Sequence, residues 1–313
     1  MKTIDYCEKY FEQYGLIMLK DQFADYLDSI AAGVAGAGSD CFGFDDSVSE
    51  DHDSGIGFSI WVDKEVYEKI GFDLARAYAR LPGEFEGKTK GKVLPYGENH
   101  FGVKTVEGFF QSCIGLPGAP ITYAQWLNIP DYAFAQAVNG KVFYDPSGYF
   151  SSIRKEIIEG MPQDVRLKKM SLRAVECAQS GQYNFLRCVK HGEYAAAGIY
   201  ISDFAKSYIS LAFILNNGYA PYQKWMFKAL NNLPGYSDIY TSLTQLLTLP
   251  NDKTTAEYKF EIIETLCRHI ADIFRTMNIS ESKDNYLEKH AYEIRDKIKN
   301  TKIRQLHIME GNL

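Results

Sequence analysis

The chain has 313 residues, enough for two ordinary domains, and its 46% hydrophobic and 24% charged residues place it among folded globular proteins. Thirty-four basic against 40 acidic residues leave a formal net charge of -6, without the Lys and Arg excess needed to grip a nucleic-acid backbone. A nucleotide needs only a local positive site and stays compatible with that balance. Six scattered cysteines, Cys7, Cys41, Cys113, Cys177, Cys188 and Cys267, form no CxxC or Cys/His pair and read as buried thiols of a reducing compartment. Met1 to Tyr10 is charged and lacks the apolar core of a signal peptide. No apolar run approaches the roughly 20 residues that span a bilayer, so no membrane partner and a cytoplasmic protein are expected.

In chain order, Thr3 to Ser29 reads as two helical pieces broken at Gly15, with apolar positions including Tyr6, Tyr10, Phe11, Leu19, Phe23 and Leu27. Ile30 to Ser39 (IAAGVAGAGS) changes character and reads as a short buried strand running into a glycine-rich turn. An acidic loop follows, then a strand over Gly57 to Val62, then a long amphipathic helix capped by Asp63 and lasting to about Leu81. Pro82 to Asn99 is rich in Gly, Pro and charge and reads as a surface loop or flap. Phe101 to Thr105 is extended, a helix starts near Val106, and Trp126 and Pro130 fall in short helices. Val142 to Asp145 is the last strand. Beyond it the pattern is helical to the end, interrupted near Pro162, Gly181, Gly218 to Pro221, Pro234 and Pro250. The fold class expected is α+β. A mixed sheet with flanking helices occupies 1–150, and an all-helical bundle occupies 151–313.

The chemistry-bearing stretch is Gly38-Ser39, eleven intervening residues, then Asp51-His52-Asp53. Carboxylates at i and i+2 of an extended backbone project to one side, where they can share a hard divalent cation such as Mg²⁺. The upstream turn offers backbone N–H groups and a hydroxyl to phosphate oxygens. An EF-hand calcium loop is a poor fit, because the third acid and the twelfth-position Glu are missing. The glycines follow neither the G-x-G-x-x-G order nor a P-loop. His52 alternates to the other side of the strand. The charged stretch Lys283 to Arg304 reads as a solvated helix face.

Gly-[Gly/Ser] followed by about a dozen residues and Asp-x-[Asp/Glu] resembles the signature of the polymerase-β-like nucleotidyltransferase superfamily, which includes the aminoglycoside nucleotidyltransferases. The run GAGSDCFGFDDSVSEDHDSGIGFSIWV, with NGKVFYDPSGYFSSIR, SGQYNFLR and LNNGYAPYQKW downstream, is similar to an uncharacterised bacterial branch, domain-of-unknown-function family 4037. The resemblance implies Mg²⁺-dependent (or Mn²⁺-dependent) transfer of a nucleoside monophosphate, AMP from ATP, to a hydroxyl of a small molecule or protein. Asp51 and Asp53 would be the metal ligands and catalytic carboxylates, with Gly38 and Ser39 at the phosphates. Superfamily members carry a third acid on a later strand. Here FGVKT places Gly102 where relatives often have that acid, which leaves Glu98, Glu107 or Asp145 as substitutes. From the helical half, Tyr219, Tyr222 and Lys224 would reach the triphosphate and base, and Gln182, Tyr183, Asn184 and Arg187 form a further polar cluster. Related enzymes pair, so a homodimer is an expectation by resemblance alone. The alternative reading is a nucleotide-binding regulatory protein on a degraded transferase fold.

Overall fold

A computed structural model describes residues 2–45, 55–91 and 101–311. The chain divides into two compact units, Met1–Pro120 with Ala133–Gly160, and Ile121–Tyr132 with Met161–Leu313. The boundary expected at residue 150 falls inside a helix, and the division comes instead at Gly160, with twelve residues of the first half, 121–132, joining the helical unit.

In the first unit, α1 (Thr3–Tyr10), a π-helical turn (Phe11–Gly15) and α2 (Leu16–Gln22) run on without interruption. The break expected at Gly15 does not occur. The glycine is there for packing, because a Cβ would lie 2.5 Å from the Phe58 ring. A 3₁₀ segment, Ala24–Ser29, leads into β1 (Ile30–Val34), whose five residues are all buried. β2 (Ser59–Val62) pairs antiparallel with β1, from Ile30 opposite Val62 to Gly33 opposite Ser59. Asp63 accepts a 2.7 Å hydrogen bond from Val66 N and starts α3 (Lys64–Ala79), as its cap position implies.

The stretch read as loop or flap contains a two-stranded hairpin, β3 (Glu84–Phe85) and β4 (Lys88–Thr89). β5 (Gly102–Thr105) pairs parallel with β2, and Thr105 caps α4 (Val106–Ile114). Next come α5 (Tyr123–Asn128), which belongs to the second unit, and α6 (Asp131–Val138). β6 (Lys141–Tyr144) closes the four-stranded sheet in the order β5-β2-β1-β6, antiparallel to β1, and α7 (Tyr149–Glu159) follows.

Alternation along β2 explains the layering. Phe58, Ile60 and Val62 join the core formed by Tyr10, Phe11, Leu74 and Tyr78 of α1 to α3, with Phe58 edge-on to Phe11 at 5.1 Å and to Tyr78 at 5.0 Å. Trp61 faces the other side, stacked 4.1 Å from Phe150 of α7 and edge-on to Phe109 of α4.

The second unit is helical. α8 (Gln163–Cys177), a π-helical segment (Ala178–Phe185) and α9 (Leu186–His191) form one run. The interruption expected at Gly181 is therefore a change of helical pitch, in a place where a Cβ would meet Phe204 at 2.5 Å and Ile263 at 2.9 Å. α10 (Tyr194–Leu215) packs along α8; α11 (Gln223–Asn232), α12 (Ser237–Thr248), α13 (Ala256–Thr276), α14 (Leu287–Asp296) and α15 (Thr301–Gln305) complete the unit.

Among the described residues, α10 alone is long and apolar enough to cross a membrane by length and composition, with a mean hydropathy of 1.2. It is not an uninterrupted apolar run, since Asp203 and Lys206 lie within it. More than half of its apolar window, 56%, is buried inside the protein, as for the central helix of a bundle. All six cysteines are free thiols; four are buried as read from the sequence, while Cys113 and Cys188 are half-buried.

Candidate functional site

The glycine-rich turn leaves the C-terminal end of β1. Gly36 and Gly38 have φ of 114° and 125°, values that L side chains rarely adopt. The turn closes on itself: Ser39 O accepts Phe44 N at 2.7 Å, and Asp40 O accepts Gly43 N at 2.9 Å. Ala37 and Gly38 are exposed and Ser39 is half-buried. Among the described residues nothing accepts a hydrogen bond from the backbone N–H of Ala37, Gly38 or Ser39. Three successive N–H groups without an acceptor among the described residues, on a turn of mixed handedness, are of the kind that can receive anionic oxygens.

Two residues that sequence reasoning missed hold this turn. Asn139 takes both polar groups of Gly36: its Oδ1 accepts Gly36 N at 2.8 Å, and its Nδ2 donates to Gly36 O at 2.7 Å. Arg154, on α7, donates through Nη2 to the carbonyls of Val138 and Asn139, each at 2.7 Å. Gly140 lets this connection pass close to β1, because a Cβ there would stand 1.9 Å from Val34 O. The signal available was the Asn139-Gly140 pair ahead of a strand, a turn dipeptide with a mechanism.

Asp51, His52, Asp53 and Glu98 lie outside the described residues. The frame on either side of them is described. β2 begins opposite Gly33, at the end of the sheet where β1 delivers the glycine-rich turn, and Asp51-His52-Asp53 precedes β2 in the chain. Gly55 and Gly91 cross there so closely that a Cβ on Gly55 would sit 2.1 Å from Gly91 Cα.

Gly102 pairs with Ser59 and so lies at that same end. Its φ is 117° and no atom lies within 4 Å of where its Cβ would be, so the position of the expected acid is open space on a glycine-only backbone. Glu107 and Asp145 lie elsewhere. Glu107 follows Thr105, which pairs with Val62, and Asp145 follows Tyr144, which pairs with Ala32; the register runs both away from the glycine-rich turn. Asp145 is a turn residue, its carboxylate accepting Ser151 N at 2.8 Å. Glu107 accepts the Tyr149 hydroxyl at 3.3 Å, while its other carboxylate oxygen is buried without a partner. Burial first, then the charge of Glu107, holds the Tyr149 phenol above its ordinary value. The strand register thus places neither acid beside the Gly38–Ser39 turn; their place relative to Asp51 and Asp53 lies outside the described residues.

Tyr219, Tyr222 and Lys224 belong to the second unit. Tyr219 is buried, and burial foremost, with Asp131 behind it, pushes its phenol well up. Tyr222 precedes α11, half exposed, with its ring edge-on to Tyr132 at 5.9 Å. Lys224 is exposed and lies over the Trp225 ring at 4.7 Å. The cluster at 182–187 is largely consumed within the unit: Gln182 bonds Glu264, Asn285 O and Leu287 N, Asn184 bonds Gln179 O, and Arg187 bonds the Tyr183 hydroxyl. No grouping of three or more His, Cys, Asp or Glu side chains suited to a metal occurs among the described residues.

The family described as Domain of unknown function (DUF4037) matches residues 126–226, less than half of the chain. No curated protein matches by sequence. Among solved structures, the chain is similar to the crystal structure of a nucleotidyltransferase-like protein from Exiguobacterium sibiricum 255-15. The identity is 11%, over 94% of this chain and 81% of that one, with a TM-score of 0.36. At that score the likeness carries no argument about the site.

Proposed function

We propose that the first unit binds a nucleoside triphosphate at the turn Gly36 to Ser39 and transfers its nucleoside monophosphate, AMP from ATP, to a hydroxyl of a small molecule or protein. One observation carries this reading. Three unpartnered backbone N–H groups, at Ala37, Gly38 and Ser39, lie at the end of the sheet where β2 begins, and β2 is preceded by Asp51-His52-Asp53. The N–H groups and the Ser39 hydroxyl hold β- and γ-phosphate oxygens. Asp51 and Asp53, hard oxygen donors two residues apart, would hold Mg²⁺, which supplies neutralisation of the triphosphate charge when bound.

The acceptor oxygen forms a bond to the α-phosphorus, the bond from that phosphorus to the bridging oxygen breaks, and pyrophosphate leaves with the electron pair. The hydroxyl proton passes to water, since no carboxylate stands at position 102. The protein's contribution is then to fix the triphosphate in line with its acceptor.

Gly102 favours a second reading, a nucleotide-binding regulatory protein on the same frame. A missing general base slows such a reaction by about 10²–10⁴-fold and leaves triphosphate binding in place. Pyrophosphate release from ATP with Mg²⁺, in the presence of candidate hydroxyl acceptors, separates the two. The transferase reading expects release and a labelled adduct in the wild type, both lost in Asp51→Ala/Asp53→Ala. Turnover unchanged in the double variant sinks it. ATP binding without an adduct under any acceptor supports the regulatory reading.

A further inference from the structure

We propose that Asn139 and Arg154 are positioning residues of the phosphate-binding turn, acting in series: Arg154 fixes the backbone at 138–140, and Asn139 fixes the peptide that aims the first phosphate-facing N–H. The inference rests on the nucleotide-binding reading above and assigns how that site is pre-organised.

The geometry follows from one peptide plane. The carbonyl of Gly36 and the N–H of Ala37 belong to the same trans peptide and point in opposite directions. Asn139 Nδ2 holds that carbonyl at 2.7 Å, so the Ala37 N–H is aimed away from Asn139. Asn139 Oδ1 also takes the Gly36 N–H at 2.8 Å, which removes Gly36 from ligand contact and makes Ala37 the first free donor of the turn. With φ of 114° at Gly36 and 125° at Gly38, the turn has glycine's backbone freedom at two of its four positions and needs an external clamp to keep one shape.

Asn139 can serve as that clamp because its own backbone is held. Arg154 Nη2 donates to the carbonyls of Val138 and Asn139, and Gly140 lies against Val34 O, so the side-chain torsions are the freedom left to Asn139. No carboxylate pairs with Arg154 among the described residues; its guanidinium lies 5.9 Å from the Phe150 ring, and its Nη1 is buried without a partner. A guanidinium without a counter-ion, bonded to the loop that grips the turn, adds a favourable field for a bound polyphosphate.

The test uses tripolyphosphate and ATP as calorimetric probes, with Mg²⁺, on the full chain at a temperature well below each variant's melting point. Asn139→Ala is expected to weaken both probes about tenfold or more, the size of one or two lost oriented hydrogen bonds. Arg154→Lys keeps the charge but loses the planar guanidinium whose Nη2 reaches both carbonyls, and is expected to weaken both by several-fold. Ser280→Ala, which breaks the buried Ser280–His290–Glu293 contacts of the second unit, lowers stability without touching the turn and should leave both affinities unchanged. That control separates positioning from general destabilisation. Asn139→Ala binding tripolyphosphate within twofold of a wild type that binds well overturns this inference and leaves the nucleotide reading standing. If Asn139→Ala does not fold, the same criterion applied to Arg154→Lys decides. A wild type that binds neither probe overturns both.

Discussion

Lys168 shows how much at the level of single residues depends on partners that sequence spacing does not display. It is fully buried and donates to the carbonyls of His307 at 2.6 Å and Ile308 at 3.1 Å. Burial outweighs the attraction of Glu310 and pulls its ammonium down from 10.5 to about 8. A depressed value means that folding favours the neutral amine. The stabilisation is complete above the unfolded value of 10.5 and is lost as pH falls through about 8. Measured by denaturant unfolding, the stability of wild type relative to Lys168→Met is therefore expected to rise between those two pH values, with a slope of at most about 1.4 kcal/mol per pH unit. A flat difference would show that the ammonium is not perturbed. Its neighbour Lys169 is likewise buried, in an ion pair with Asp131 at 2.8 Å. Gly38, Ser39, Asp51 and Asp53 stand out in the sequence because the chemistry proposed for them depends on local spacing. Asn139 does not stand out in this way, because it acts across 103 residues of chain, on Gly36.

The legible elements were those with a cap or a clean period. β1, β2, α3 and β6 were expected from alternation, the Asp63 cap and the turn after Asp145. The glycines inside helices misled, since Gly15 and Gly181 mark close approaches rather than ends. At Gly181 the π-helical segment brings the backbone against Phe204 and Ile263, and an added methyl has to displace an aromatic ring. Gly181→Ala is accordingly expected to cost about 1–3 kcal/mol, by overpacking rather than by helix propensity, which would favour Ala. A thermal or urea midpoint equal to or above wild type would contradict the packing account. The β3–β4 hairpin was hidden by its polar composition, although Glu86 and Gly87, with φ of 47° and 77°, supply the two positive values of a tight hairpin turn.

At the scale of the whole molecule, an α+β unit carries the glycine-rich turn at one end of a four-stranded mixed sheet, and a helical unit follows. The division into a sheet half and a helical half was legible because alternation stops after Tyr144 and helical periodicity takes over. The transfer of residues 121–132 to the helical unit was not, because α5 packs against α8, about forty residues further on. The sheet register runs Glu107 and Asp145 away from the turn and puts Gly102 at the turn's end of the sheet, so the proposed nucleotide function is assigned to Asp51 and Asp53 together with the turn. The most direct measurement is calorimetric binding of ATP, GTP, CTP and UTP, with and without Mg²⁺, to wild type and to Asp51→Asn/Asp53→Asn. The account predicts Mg²⁺-dependent triphosphate binding by the wild type that disappears in the double variant. No binding by the wild type, or binding that survives the double substitution, contradicts it.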